Sequence, residues 1–151
     1  MDSEVKKAFS TIEDYAHMWN WLPDIDVACK IYEQFPNSFS VLTPFMYAYM
    51  EEVIRSTTSE YGIVFLKNGK PSGRKTGISL IKLAIKENPE KEDYIAILND
   101  VKNYFKGSNE HDKGDNRNST LHGYMHAGYW TKDSFETLVK DIARLSPYAG
   151  F

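Results

Sequence analysis

Residues 116–123, with the sequence N-R-N-S-T-L-H-G, bring together the side chains best suited to chemistry. Arg117 stays charged and presents a planar fork to phosphate oxygens, whereas the His122 imidazole can accept or donate a proton near neutral pH. On a helix, Asn118 and His122 are four residues apart and share a face. Arg117 and His122 are five apart, about 140° around the axis and about 7.5 Å along it, so they could serve one phosphate from two sides or meet across a dimer axis.

Cleavage of RNA is the reaction that these residue types suit. RNA carries its own nucleophile, the 2′-OH, so the protein has only to move protons and stabilise charge on the phosphate. Asn118 could orient the imidazole or contact the phosphate, which makes Arg117, His122 and Asn118 the candidate catalytic residues. The candidates for contacting substrate are Asn116, Arg74, Lys75 and His126. Glu51 and Glu52 lie in an otherwise apolar predicted helix. The simplest interpretation is a charged face in which they pair with Arg55, three or four residues on, and the alternative is an acid that orients Arg117 or His122.

Three other kinds of site are weighed against this one. The basic segment 69–76 resembles a phosphate-binding loop, but Arg74 stands where that loop requires its second Gly, which favours a solvated surface loop. His122 and His126 have the i, i+4 spacing of two metal ligands on a helix, with further ligands available from the preceding loop, yet no H-E-x-x-H pattern is present, and we expect no metal. Cys29 lies in a helical apolar stripe, where a nucleophile is not expected.

Length, cysteine content and net charge limit the classes of protein to which this chain can belong. A chain of 151 residues fits a single domain, and one Cys excludes a disulfide framework and fits a reducing, cytoplasmic setting. The net charge of −3 argues against a broad nucleic-acid-binding face, although a small basic site remains compatible with it. The sequence has no signal-peptide pattern and no apolar run of the length that a membrane span requires.

Apolar residues recur at three- to four-residue steps along most of the chain, which predicts an all-α, up-and-down bundle of about five to seven helices. Residues 63–66 could form a strand, but no second strand is evident, so we interpret them as extended chain. The first predicted helix spans residues 4–22 and is ended by Pro23, and the second is capped by Asp24 and has the apolar stripe Val27, Ile31 and Phe35. Three more are predicted from Thr43 to Gly62, from Ile78 to Asn88 and from Tyr94 to Gly107. The motif helix runs from about Asp115 to Tyr124, and the last helix begins after Thr131 and ends before Pro147.

The pattern Asn116-Arg117-Asn118-x3-His122-Gly123, near the C-terminal end of a small all-helical chain, resembles the R-x(4–6)-H signature of the HEPN superfamily. The resemblance implies a homodimer whose two motifs face each other across a cleft. It also implies metal-independent, cofactor-free endoribonuclease activity in a toxin, a phage-defence factor or an RNA-processing component, with an antitoxin or nucleotidyltransferase-like partner in the toxin case. Some members bind without cleaving, so the alternative is a non-catalytic HEPN-like module that dimerises or binds RNA, nucleotide or protein.

Overall fold

The computed structural model describes residues 1–63, 66–68, 70–71, 73–108, 111–124 and 126–151. These residues form seven α-helices, which confirms the all-α prediction. The helices are α1 (Ser3–Tyr15), α2 (Leu22–Gln34), α3 (Phe39–Ser56), α4 (Gly77–Glu87), α5 (Glu92–Val101), α6 (Arg117–Leu121) and α7 (Lys132–Leu145). Short 3₁₀ turns follow at Pro36–Ser38, Lys102–Phe105, Ala127–Tyr129 and Ser146–Tyr148. In the part of the chain described, no helix is both long enough and apolar enough to cross a membrane.

Helices α3 and α7 lie at the centre of the bundle. Helix α7 packs against α1, α3 and α5, while α3 also contacts α4 and α6. Thr131 caps α7, with its Oγ1 accepting from the Ser134 N–H at 3.2 Å. The inward face of α7 is the predicted stripe, since all five of its apolar residues are buried: Phe135, Leu138, Val139, Ile142 and Leu145. The prediction for this helix is therefore confirmed.

The boundary between α1 and α2 differs from the prediction. Helix α1 ends at Tyr15 rather than near Leu22, and Pro23 lies in the first turn of α2 instead of ending α1. A proline is tolerated there because the first N–H groups of a helix have no partner within it. The N-cap of α2 is Trp21, so the prediction that Asp24 is the cap was wrong.

Helix α2 turns a different face to the core from the one predicted. Its stripe of Val27, Ile31 and Phe35 is exposed, and the buried residues are Ile25, Ala28 and Tyr32. The Tyr32 ring packs against Phe135, with ring centroids 4.8 Å apart, and its hydroxyl donates to Glu136 Oε1 at 2.7 Å. This contact with α7 fixes the rotation of α2 about its own axis.

Helix α3 begins four residues before the predicted cap and ends six residues before the predicted stop at Gly62. Thr43 and Pro44 therefore lie inside the helix, where the Thr43 hydroxyl donates to the Phe39 carbonyl at 2.7 Å. At the other end, the Ser56 hydroxyl donates to the Val53 carbonyl at 2.6 Å. The hydroxyls of Thr57 and Thr58 donate likewise to the Ile54 and Arg55 carbonyls. Three successive side chains thus occupy carbonyls that the next helical N–H groups would use, which favours the end of the helix at Ser56.

A small hairpin corrects the expectation that no second strand pairs with the segment near residue 66. Strand β1 (Leu66–Lys67) pairs antiparallel with β2 (Lys70–Pro71), with Leu66 opposite Pro71 and Lys67 opposite Lys70. Asn68 turns the chain with φ of +55°, a conformation that Asn tolerates better than most residues. Val64 and Phe65, in the segment interpreted as extended chain, and two loop residues, Gly69 and Ser72, lie outside the described residues.

Candidate functional site

Helix α6 carries the motif and is shorter than predicted, ending at Leu121 instead of extending to Tyr124. Its N-cap is Asn116, whose Oδ1 accepts from the Ser119 N–H at 2.9 Å. The Asn116 amide also donates to the Lys106 and Gly107 carbonyls, and the residue is buried. The helix stops where Gly123 adopts φ of +63°, a usual C-terminal signal. Asn116, expected to contact substrate, thus has its polar atoms committed to anchoring α6.

Arg117, in the first turn of α6, lies against Glu51 of α3. Its Nε is 3.0 Å from Glu51 Oε1, and the two side chains are only 15% and 10% exposed. The Nε–H is not aligned for a hydrogen bond, so charge proximity holds the pair. Glu51 Oε1 also accepts from the Gly77 N–H at 3.1 Å, which ties the same carboxylate to the start of α4.

The second candidate acid, Glu52, lies elsewhere. Its Oε2 is 3.4 Å from the Nε of Arg55, one turn further along α3. Of the two adjacent acids, the structure brings Glu51 to the motif and directs Glu52 to a separate ion pair. Adjacent helical residues point about 100° apart, so only one of them can face α6.

Asn118 is held to the turn that precedes the loop. Its Nδ2 donates to the Lys106 carbonyl at 3.0 Å and to the Phe105 carbonyl at 3.4 Å, while its Oδ1 accepts from Arg117 Nη1 at 3.4 Å. Because the Asn118 side-chain amide makes these contacts, it does not orient the His122 imidazole. The two residues are joined only through the backbone, where the His122 N–H donates to the Asn118 carbonyl. Asn118 is therefore placed to position Arg117.

His122 lies at the C-terminal end of α6 and is exposed. Exposed aromatic or apolar residues surround it in sequence, and together they form what we call the motif surface: Leu121, His122, Tyr124, His126 and Tyr129. The His126 ring lies edge-on to Tyr129 with centroids 6.5 Å apart, and its Nδ1 accepts from the Gly128 N–H. Tyr124 and Tyr129 are 56% and 68% exposed, unusual for tyrosines of a packed domain. Met125 lies outside the described residues.

The basic loop before α4 is pinned by a residue that the sequence did not indicate, Glu60. Glu60 Oε1 is 3.0 Å from Lys75 Nζ, and its Oε2 accepts from the Lys75 N–H at 2.9 Å. Burial acts to raise the pKa of Glu60, but the hydrogen bonds from Lys75 prevail and the pKa is lowered. Arg55 Nη1 donates to the Lys75 carbonyl at 2.9 Å. Lys75, expected to contact substrate, is thus engaged within the chain, whereas Arg74 is exposed with no ion pair to any described residue.

The two remaining kinds of site considered from the sequence are a metal site and a reactive thiol. Among the described residues, no three His, Cys, Asp or Glu side chains are grouped so as to hold a metal ion, and residues 109 and 110 of the preceding loop lie outside that set. Burial raises the pKa of the Cys29 thiol to about 11, so it is protonated at neutral pH and a poor nucleophile.

Comparison of the chain with protein-family models, curated proteins and solved structures gave no match. What the site can do therefore follows from its own geometry. A guanidinium is held in a largely buried ion pair at the start of α6, and an imidazole is exposed at the end of the same helix.

Proposed function

We propose that this protein is a metal-independent endoribonuclease of the HEPN type that acts as a homodimer. The position of Arg117 is the observation that carries the proposal. Glu51 and Asn118 fix its Nε and Nη1, which leaves Nη2 without a partner among the described residues, at the base of a helix that ends in an exposed imidazole. Transesterification of a phosphodiester requires a fixed cation and a group that transfers protons, and α6 carries one at its start and the other at its C-cap.

In the proposed mechanism, the motif surfaces of two protomers enclose one RNA phosphodiester. His122 of one protomer accepts the proton of the 2′-OH as the 2′-oxygen bonds to phosphorus. The bond from phosphorus to the 5′-oxygen breaks, and His122 of the partner protomer protonates that oxygen. Arg117 stabilises the charge on the phosphate oxygens during the transfer. The products are a 2′,3′-cyclic phosphate and a 5′-hydroxyl.

One observation favours a second function, that of a non-catalytic HEPN-like module that dimerises or binds RNA. Glu51 neutralises Arg117, and the guanidinium is mostly buried, which is how an arginine with a purely structural role would be placed. In this case the exposed Tyr124 and Tyr129 would contact a partner, and no RNA would be turned over.

The two functions separate in a cleavage assay. The purified protein is incubated with an end-labelled RNA in excess EDTA, beside a DNA oligonucleotide of the same sequence. The nuclease is expected to cleave only the RNA, without metal, and to leave cyclic phosphate ends. A dimer that binds the RNA and leaves it intact would support the binding module instead.

His122→Ala is the most informative variant, because the side chain is exposed and its removal should leave the fold intact. It should abolish cleavage, as should Arg117→Ala. His17→Ala, which removes an imidazole from the loop between α1 and α2, is the matched control and should cleave normally. Undiminished cleavage by both motif variants would exclude these residues from the mechanism.

A further inference from the structure

The loop that leads into α6 contains a buried carboxyl group with an unmet hydrogen bond. Asp112 is 1% exposed, and its Oδ1 accepts from the Gly114 N–H at 2.8 Å and from the Asp115 N–H at 3.0 Å. Its Oδ2 is buried without a hydrogen-bond donor. A buried carboxylate oxygen without a hydrogen-bond donor destabilises the folded protein, so the native state favours protonation of Asp112 if the proton can be donated to a neighbouring acceptor.

The Asp115 carboxyl group is the neighbour that can satisfy it. The Asp115 N–H donates to Asp112 Oδ1, so both side chains belong to one tight turn. Burial is the larger cause, and the neighbouring Asp115 side chain the smaller one, that raises the pKa of Asp112 to about 6. Two ionised carboxylates repel each other, whereas one shared proton turns Oδ2 into a donor towards Asp115. The titration belongs to the pair as a unit.

The two carboxyl groups cannot separate easily, because the loop is pinned on several sides. Gly114 has φ of +87°, and a Cβ added there would lie 3.0 Å from Trp130 Cβ. The Tyr47 hydroxyl donates to the Gly114 carbonyl at 2.9 Å, and the Thr131 N–H donates to the Lys113 carbonyl at 2.8 Å. The loop is thereby fixed to both α3 and the start of α7.

No Lys or Arg among the described residues forms an ion pair with Asp112 or Asp115. The groups around the pair from the packed elements are phenols and carboxylates: Tyr47 of α3, Tyr104 after α5, and Asp133 and Asp141 of α7. Lys113 of the loop is exposed, and Arg144 pairs with Asp100 and Asp141. Loss of the shared proton therefore leaves two negative charges in an acidic setting.

We propose that Asp112 and Asp115 form a proton-operated latch, in which one shared proton holds the loop closed and its loss loosens the loop together with the start of α6. The next two residues are the N-cap Asn116 and Arg117, so movement of the loop is transmitted directly to the motif. An effect on RNA cleavage rests on the proposed function, whereas the latch itself does not.

Asp112→Asn tests the latch, because an amide keeps the Oδ1 acceptor and donates to Asp115 at every pH. For an acid whose folded pKa is raised, the stabilisation is present below the unfolded value and is lost as pH rises through the folded value. The difference in Tm between variant and wild type should therefore be small at pH 4.5 and grow to roughly 5–10 °C at pH 7.5. The exposed Asp24→Asn, on α2 and away from the loop, is the control and should show no such growth. A variant that is no more stable than the wild type at pH 7.5 would overturn the proposal.

Two measurements keep the test decisive even if the variant folds poorly. Carboxyl carbon NMR of the wild-type protein should show an Asp signal with a midpoint near pH 6, and the latch is excluded if every Asp titrates below about pH 5. Amide exchange, corrected for its intrinsic pH dependence, reports on α6 through the Thr120 and His122 N–H groups, which bond to the Asn116 and Asn118 carbonyls. Their protection should fall by about tenfold between pH 5 and 7.5. Unchanged protection would overturn the link to the motif, and neither experiment depends on nuclease activity.

Discussion

Glu51→Gln isolates the contribution of the ion pair that places Arg117. The amide oxygen can still accept from the Gly77 N–H, so the start of α4 keeps its hydrogen bond. The negative charge beside the guanidinium is lost, and Arg117 remains largely buried without a counter-charge. The variant should therefore be less stable, and Arg117 should be less well positioned.

The magnitude follows from the geometry. At the 3.0 Å separation of Arg117 Nε and Glu51 Oε1, an effective dielectric constant near 20 gives an attraction of roughly 5–6 kcal/mol. A neutral glutamine no longer suffers the desolvation of a carboxylate, which offsets about half of that attraction. The free energy of unfolding should fall by about 2–3 kcal/mol. A displaced guanidinium should also slow the proposed RNA cleavage by about 10- to 100-fold.

A double-mutant cycle measures this coupling. Glu51→Gln, Arg117→Met and the double variant are compared with the wild type by urea unfolding at pH 7, followed by tryptophan fluorescence and circular dichroism. The double variant should be more stable than the sum of the single effects implies, with a coupling energy of about 2–3 kcal/mol. Glu52→Gln is the matched control, because Arg55 retains Glu60 at 3.4 Å, and its effect should stay below about 1 kcal/mol.

A coupling energy below about 0.5 kcal/mol would refute the reasoning, since that is the value typical of an exposed, screened pair. Arg117 would then be held by packing alone, and the account of how α3 positions the motif would fail. A loss of cleavage in Glu51→Gln without any coupling would assign Glu51 a direct role in the reaction instead.

Three further changes test the fold around the site by equilibrium unfolding. Gly114→Ala should cost about 2–3 kcal/mol, because a Cβ at φ of +87° is strained and would lie against Trp130; no loss would mean that the loop is not pinned. Ile25→Ala should cost about 2–4 kcal/mol and Val27→Ala less than about 0.5 kcal/mol, since only Ile25 is buried; the reverse order would contradict the observed face of α2. Thr131→Ala should cost about 1 kcal/mol through loss of the N-cap of α7, and an unchanged stability would show that the cap is dispensable.

How well a helix is predicted from sequence depends on whether local signals alone decide it. Helix α7 was predicted with its cap and its buried face, because one strong apolar stripe follows one good N-cap. Helix α2 carries two stripes at helical spacing, and the contact of Tyr32 with Glu136, 104 residues away, selects between them. No local pattern contains that information.

In the candidate site, too, some features could be predicted from local sequence signals and others could not. The two adjacent acids had two interpretations, an ion pair with Arg55 and an acid that orients Arg117 or His122. Glu52 forms the first pair and Glu51 lies against Arg117, a choice between the acids that the sequence did not make. Glu60, which engages Lys75, was missed because the helix was predicted to continue to Gly62, whereas α3 ends at Ser56 and Glu60 lies in the irregular segment that follows. The Asp112 turn did leave a signal, since Asp two residues before Gly is a common turn pattern, but the sequence does not show that the carboxyl group is buried.

The geometry of α6 makes a second protomer a requirement of the proposed chemistry. Arg117 is oriented by Glu51 and Asn118, whereas the described residues provide no contact that would orient the exposed imidazole of His122. A general acid or base must lie within hydrogen-bonding distance of the proton that it transfers. A second motif surface, with its exposed tyrosines, can provide that order and the second imidazole at once. Full RNA-cleaving activity from a protein that light scattering shows to be monomeric at the assay concentration would therefore refute the two-histidine mechanism, even though RNA is cleaved.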